Sequence, residues 1–474
     1  MRKNITFLLF AAVLLGSCND RLDRINENPN ETEKPQAAYL LTGVLKQGAD
    51  LYWGLNSSFG STLLFVQHWA KIQYPEADRY EFSNTSSEMT TLWNTGYATL
   101  ITDLNTILDF PDGEANANYR GVALALRSWV FLLLTDVYGD IPYSEAGKSL
   151  IPAYDTQKDV YTGLLADLSQ AVGLLNVSSG DVGGDVVYGG DIARWKKFAH
   201  SLRLRIALRI ADRENAQAQQ VIASLSPADL IGSNDETFRF VYTASPQHNP
   251  QAAAFDTRDD YRISKTIVDR LRALNDPRLP VYAQLPGDAS VTDYTGAANG
   301  LSNADAQAQG LARTSLPGAW FLTPSAPAVI YSYAEVLFNL AEAVERGYIS
   351  GDAGDYYNQA VTASLRQFGI TDATVISNYL AQTAVQYNTA NYRQSIGEQK
   401  WIAFFGQGLD AFAEWRRLDY PQLTAGPASV LNGQIPVRFF YPGTEQSLNG
   451  QSRQVAVAHQ GEDLLTTRLW FDVN

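Results

Sequence analysis

The chain has 474 residues, 45% of them hydrophobic and 18% charged, with a formal net charge of −14 at pH 7. This is a globular rather than a disordered composition, and a negative surface repels phosphate backbones, so nucleic acid is not expected as a partner. The only cysteine, Cys18, excludes an intramolecular disulfide, leaving stability to a core that a chain of this length can build.

Two cations, Arg2 and Lys3, precede an apolar run from Ile5 through Leu15, the order of a secretory signal. The run is about a dozen residues where a spanning helix needs about 20, so residues 1–17 read as a signal peptide and not as a permanent membrane helix. It ends Leu15-Gly16-Ser17-Cys18. Small residues before a cysteine resemble the lipobox of bacterial lipoproteins, which implies cleavage before Cys18 and acylation of its sulfur. Two or more acyl chains anchor stably, at about 0.8 kcal/mol per buried methylene. Loss of Arg2 and Lys3 lowers Lys+Arg from 36 to 34 against 50 Asp+Glu, so the net charge becomes −16. Residues 18–36 are polar and contain Asn28-Pro29-Asn30, a tether. Residues 37–474 show no clean linker and are expected to form one domain.

Long helical patterns follow. Trp53 lies in an early helix-like stretch, and a helix is expected to begin near Ser87. Tyr119 to Tyr138 carries Val122, Leu126, Trp129, Leu133 and Val137 on one stripe, with Leu124, Phe131 and Leu132 off it; a helix apolar on most sides is buried on most sides. Gly139-Asp140-Ile141-Pro142 ends it. Val160 to Leu175 reads as a second helix, capped by Asp155 or Thr156. Trp195 to Ala211 reads as a third, its second face bearing Lys196, Lys197, Arg203, Arg205 and Arg209, cations expected to pair with the acidic excess or be solvated. Ile263 to Leu274 is a short helix closed by Asn275-Asp276-Pro277. Ala328 to Arg346 and Asp355 to Phe368 form a pair through Gly347 and Gly351, close to the tetratricopeptide period of 34 residues. A last helix spans Tyr392 to Phe405, with a continuation to Trp415. Residues 212–260, 285–326 and 421–474 read as irregular, and loops that long are usually functional.

Several segments stand in a set order along the chain. They are the lipobox and Asn26-Glu27-Asn28-Pro29; Asp136-Val137-Tyr138-Gly139-Asp140-Ile141-Pro142-Tyr143; Pro152-Ala153-Tyr154-Asp155-Thr156; and Trp195-Lys196-Lys197-Phe198-Ala199 with Ser201-Leu202-Arg203-Leu204-Arg205. Asp276-Pro277-Arg278-Leu279, Tyr333-Ala334-Glu335-Val336-Leu337-Phe338, Gln399-Lys400-Trp401-Ile402-Ala403, Glu414-Trp415-Arg416-Arg417 and Ile435-Pro436-Val437-Arg438 continue the series. In these segments the chain resembles the SusD/RagB family of outer-membrane nutrient-binding lipoproteins over nearly its whole mature length. The resemblance implies a mainly α fold, in which tetratricopeptide-like helix pairs back a loop-rich ligand-binding half. It also implies a lipid-anchored protein on the outer face of the outer membrane, capturing a glycan or sometimes a peptide for a SusC-like TonB-dependent transporter, without catalysis.

The residues carry no strong enzyme signature. His68, His200, His248 and His459 are scattered with no metal spacing, and there is no Walker loop or G-x-S-x-G elbow. Asp181, Asp185 and Asp191 lie among glycines but not at EF-hand spacing; a turn before the helix at Trp195 accounts for them better than calcium. No metal or cofactor is expected. A glycoside hydrolase, needing two carboxylates about 5 to 10 Å apart, is one rival reading; an oligopeptide or glycoprotein receptor of the same family and a helical scaffold for a protein partner are others. A sugar site needs aromatic platforms for C–H faces and fixed polar groups for hydroxyls, and loops on a rigid base are where such residues concentrate. Two stretches combine them: Gln67-His68-Trp69 through Tyr74 to Arg79-Tyr80, and Tyr294 through Asn299 to Trp320-Phe321. The candidate ligand contacts are Trp69, Tyr74, Tyr80, Tyr294, Asn299 and Trp320, with Trp320 foremost because Pro317-Gly318 favours a turn that presents its indole. Trp129, Trp195, Trp401 and Trp415 are expected in the core.

Overall fold

A buried ionic lattice organises the helices. The computed structural model describes residues 36–111, 116–244, 248–257 and 259–473; Cys18, the signal peptide and the tether fall outside them. The main helices are α1 (Ala37–Tyr52), α2 (Ala117–Tyr138), α3 (Gln157–Leu174), α4 (Ile192–Ile210), α5 (Tyr333–Glu345), α6 (Ala353–Gln367), α7 (Tyr392–Ala403), α8 (Gly408–Leu418) and α9 (Gly450–Gln460). They pack as neighbours α2–α3, α3–α4, α5–α6 and α7–α8, the helix-pair scaffold expected from the resemblance. Strands β1 (Trp69–Lys71), β2 (Phe238–Phe240), β3 (Tyr261–Ile263) and β4 (Ala328–Tyr331) make only two short antiparallel ribbons, β1–β3 and β2–β4. Buried apolar residues from Leu41 to Phe471 form one contiguous core.

Local chemistry sets the helix ends. Asn116, Thr156, Asp191, Ser332 and Asp352 each accept a backbone N–H of the first turn of α2 to α6, satisfying donors that have no partner inside the helix. Helix α2 has the length and apolarity of a membrane span, yet nearly all of it is buried inside the fold; only Ala117, Tyr119, Arg120 and Arg127 reach solvent. It is the core helix its pattern predicts.

Four expectations need correction. The pattern from Ala328 to Arg346 is not all helix: Ala328–Tyr331 pairs with Phe238–Phe240 as β4, because its β-branched run suits a buried strand, and α5 starts after Ser332. Ile263 likewise belongs to β3, and the helix there is Lys265–Ala273. The helix from Tyr392 does not run through to Trp415. Gly406 sits at φ +91° with its α-carbon against Trp53 and Phe321, where a Cβ would approach Trp53 to 3.0 Å; only glycine fits, and the chain turns between α7 and α8. Finally, the stretches read as irregular contain helices, notably Asn215–Ala223 and α9. The Asp181–Asp191 region is a turn: Asp185 accepts the N–H groups of Val187, Tyr188 and Gly190 at 2.9–3.0 Å and the Trp195 indole at 2.7 Å.

Of the cations of α4, Lys196, Lys197 and Arg203 stay partly exposed, whereas Arg205 and Arg209 take the first of the two expected courses and pair with acids. Arg205 reaches Glu335 of α5 at 2.6 Å and Asp410 of α8 at 3.1 Å, and Arg209 reaches Asp136 of α2 at 3.0 Å and Glu414 of α8 at 2.5 Å. Lys400 of α7 adds to Glu414 at 2.5 Å, and Arg417 of α8 bridges Glu342 at 2.6 Å and Glu414 at 2.7 Å. All are buried. Burial works to raise the Glu342 carboxyl, but Arg417 and Arg346 outweigh it and hold it at about 2. At Glu335 burial prevails over Arg205, with Asp410 adding to the upward push. The C-terminal helix closes the structure: Gln460 Oε1 accepts the Asp140 N–H at 2.8 Å, the His459 ring meets Asp140 Oδ2 at 2.6 Å, and the Phe471 N–H donates to Gln157 Oε1 at 3.1 Å.

The Glu342 carboxyl lies below its unfolded value of 4.5, so the stability it contributes is present above pH 4.5 and lost as pH falls toward 2. Glu342→Gln is therefore expected to lower unfolding free energy by about 3 kcal/mol at pH 7. Urea titrations from pH 7 to pH 3 should show the gap to wild type closing, and a gap independent of pH would contradict the assignment.

Candidate ligand-binding site

Three loops converge beside the β1–β3 ribbon. The first, residues 67–86, holds three non-glycine residues at positive φ: Gln67 (53°), Tyr74 (51°) and Tyr80 (69°). Such conformations cost energy and persist only where surroundings enforce them. Asp78 does much of the enforcing. Its buried carboxylate accepts the Asn299 amide at 2.8 Å, the Gly300 N–H at 3.0 Å and the Lys71 N–H at 3.3 Å. Burial pushes its pKa up to about 6 even so. The second loop, 284–318, is held at Ser315, which exchanges hydrogen bonds with Thr295 and accepts the Ile263 N–H at 3.1 Å. The third, 421–437, is held by Gln67, which donates to the Thr424 carbonyl at 2.7 Å, and by Val430 N–H to the Arg79 carbonyl at 3.1 Å. Gly300 and Gly426 lie so close that a Cβ on Gly300 would meet the Gly426 α-carbon at 2.8 Å.

The two stretches singled out from sequence do meet, but several of their residues serve the joint rather than its surface. Trp69 is fully buried between Phe59 and Phe255, and Tyr80 is buried against Phe65. Neither ring offers a face to a solute, and both are removed as stacking platforms. Asn299 is also buried, and its amide is spent inside the protein: Nδ2 donates to the Trp69 carbonyl and Asp78, and Oδ1 accepts from Ser264 at 2.5 Å. Its place is that of a strut. Each misreading has one cause. A polar–aromatic mixture is the composition of a sugar site, and equally of a buried loop junction.

Tyr74, Tyr294 and Trp320 remain. Tyr74 is the most exposed of them, at 71%, on the turn held by Asp78. Tyr294 is half-buried, its carbonyl taken by Arg272. Trp320 is half-buried against Phe368 at 5.1 Å and Phe321 at 4.7 Å, on an aromatic column that continues through Tyr282 and Phe405. Gly318 fits there by its lack of a side chain, since a Cβ would strike the Val281 carbonyl. Gln67 and Arg79 belong to the stretch singled out from sequence, and Arg79 reaches the Leu301 carbonyl and Asn303. Asp78 and Ser264 were missed, because a lone Asp or Ser in a loop reads as solvated.

Among the described residues no group of three or more His, Cys, Asp or Glu side chains is placed to hold a metal ion. His68 is buried between Trp401 and Phe405, and burial lowers its pKa to about 3, so the ring is neutral.

Comparison with known proteins follows from this geometry. Over residues 29–442 the sequence matches a SusD-like family model described as starch-binding and associating with the outer membrane. A solved chitin-binding protein superimposes with a TM-score of 0.82 at 29% identity, over 93% of this chain and 100% of its own. A SusD homologue from Bacteroides fragilis does so with a TM-score of 0.79 at 25% identity, over 93% and 100%. A chitin-binding SusD homologue from Flavobacterium johnsoniae shares the fold, with a TM-score of 0.81 at 22% identity over 92% and 98%. No curated protein matches the sequence.

Asn299→Ala removes an acceptor from Ser264 and donors from Asp78 and the Trp69 carbonyl in one step. It is expected to cost about 3 kcal/mol and to raise hydrogen-exchange rates across residues 67–80 and 295–301 ahead of the helices. Unchanged protection in both loops would remove Asn299 from the joint.

Proposed function

The chain belongs to the SusD-like family, and from that membership we propose that it is a cell-surface receptor that captures an oligosaccharide and delivers it to a partner TonB-dependent transporter. The match of the family model across residues 29–442 carries this reading. The 29%-identical chitin-binding protein, sharing the fold over nearly the whole of both chains, directs the first ligand trials toward β-linked N-acetylglucosamine oligomers.

The site proposed is the loop face. Tyr74, Tyr294 and Trp320 are its aromatic platforms, stacking on sugar C–H faces while nearby polar groups such as Asn303 and Arg79 take hydroxyls. Binding breaks no bond and uses no cofactor. The rigidity of the face supports this, since loops already held in place lose little entropy when a ligand arrives. Attachment to the outer membrane runs through acylated Cys18 and the polar tether, with the domain of residues 37–474 facing outward.

Calorimetry with chitohexaose tests the ligand and the site together. Wild-type protein is expected to bind it and return it uncleaved, as read by chromatography after overnight incubation. Trp320→Ala and Tyr74→Ala should each weaken binding by about tenfold, the equivalent of about 1.4 kcal/mol. Accumulating shorter oligomers would indicate a hydrolase instead, and unaltered affinity in both variants would move the site elsewhere. In the native host, Cys18→Ser should abolish palmitate incorporation and release the protein from the membrane.

A further inference from the structure

A groove between helices shares no lining residue with the loop face. It measures about 400 Å³, within the range of small-molecule sites, and runs between α5, α6 and the turn at Ser233–Glu236. Its apolar floor is the half-buried ring of Tyr333 and the side chain of Leu337; Ser233, Asn234, Asn358 and Arg366 line its walls.

What distinguishes this groove is the state of its polar groups. The Tyr333 hydroxyl, the Asn358 amide, the Ser233 hydroxyl and the Arg366 guanidinium have no side-chain hydrogen bond or ion pair among the described residues. Asn234 donates to the Ala363 carbonyl at 3.0 Å, which fixes its amide, and its Oδ1 is buried without a partner. The other clefts differ. In the cleft of about 330 Å³ on α7, Arg270 pairs with Glu398, Gln394 donates to Glu398, and Asn391 donates to Gln394. In the cleft of about 260 Å³ at Trp93, Tyr97, Glu445 and Asn449 are engaged with the Pro142 carbonyl, Tyr154 and the Pro152 carbonyl. Each of those clefts keeps one buried polar atom without a partner, Arg270 Nε and Asn449 Oδ1, as the α5–α6 groove keeps Asn234 Oδ1; what sets the α5–α6 groove apart is that its cation, Arg366, has no acid beside it.

No carboxylate lines the groove, in a chain whose acids exceed its cations by 14. Arg366 therefore stands as a cation without a counter-ion beside a ring and a set of amides and hydroxyls. We propose that this groove is a second saccharide-binding site, independent of the loop face, and that it takes a sugar bearing a carboxylate. The sugar ring lies on Tyr333, its hydroxyls meet Asn358, Ser233 and Tyr333, and its carboxylate faces the Arg366 fork, which matches a carboxylate bidentately. A peptide fits less well. An extended peptide needs an exposed strand edge and a helical one needs a row of apolar anchors; the groove offers one ring and one leucine.

The test is calorimetry on the full-length protein with trigalacturonate as the acidic probe and maltotriose as its neutral counterpart. Trigalacturonate is expected to bind more tightly than maltotriose, and its affinity should fall as salt rises, because the contact is charge-assisted. Arg366 is exposed, so its replacement spares the core. Arg366→Ala should weaken trigalacturonate by about tenfold and Arg366→Lys by less, with chitohexaose binding unchanged in both. Equal affinity of wild type and Arg366→Ala for trigalacturonate, no binding of trigalacturonate at about 10 mM, or preferential binding of a Glu-rich peptide would each overturn the proposal. Loss of chitohexaose binding in wild type would count against the loop-face reading alone, so the two sites fail separately.

Discussion

Arg205, Arg209, Lys400 and Arg417 share the carboxylates of Asp136, Glu335, Glu342, Asp410 and Glu414 across five helices. This buried lattice is the constraint on which the rest depends. Charges removed from water must find partners at close range or the fold loses several kcal/mol per orphaned ion, so the lattice admits one arrangement of α2, α4, α5, α7 and α8. Apolar packing alone tolerates sliding and repacking; a lattice of directional pairs does not. Trp53 and Trp401 extend the same logic, donating to the Val329 and Val66 carbonyls at 2.9 Å and so tying β4 itself and the segment before β1 to the helical body.

The loop half repeats the device at smaller scale. Asp78 collects N–H groups from its own loop, at Lys71, and from the second loop, at Asn299 and Gly300, as Glu414 collects cations. A loop that would otherwise fluctuate is thereby held in a conformation with three strained residues. The binding groups proposed on its surface gain a rigid base, which is how a helical scaffold with little sheet can present a defined face. The groove between α5 and α6 is formed differently: the lattice fixes α5, α6 packs on it, and no lattice residue lines the groove.

Periodicity made the helices legible: α2, α3, α4 and α6 begin and end within a few residues of where their apolar stripes and caps place them. Motif order made the family legible. Pairing over long range was not. The strand Ala328–Tyr331 shows the reason, since an apolar run is ambiguous until its partner Phe238–Phe240 is known. Arg205 and Arg209 were expected to pair with acids or be solvated; which acids they meet was not legible, because nothing within their own helix reveals partners that lie 130 to 205 positions further along the chain. Trp69, Tyr80 and Asn299 were misplaced for the same reason: whether a ring or an amide faces outward is decided by loops distant in sequence. Trp320 keeps accessible surface, but not on the turn that Pro317-Gly318 suggests: Pro317 bridges Ala283 in extended backbone and Gly318 caps the short helix Ala319–Leu322.

The clasp of α9 on Asp140, and of Phe471 on Gln157, has a bearing on the order of events after synthesis. Residues 136–161 cannot reach their final environment until the last part of the chain has emerged, more than 300 residues later. A chain joined over such spans closes large loops at high entropic expense and folds slowly. The unfinished α2, apolar on nearly every side, stays uncovered meanwhile, which makes the interval before closure the stage most exposed to aggregation and the one where a holding chaperone has most to protect.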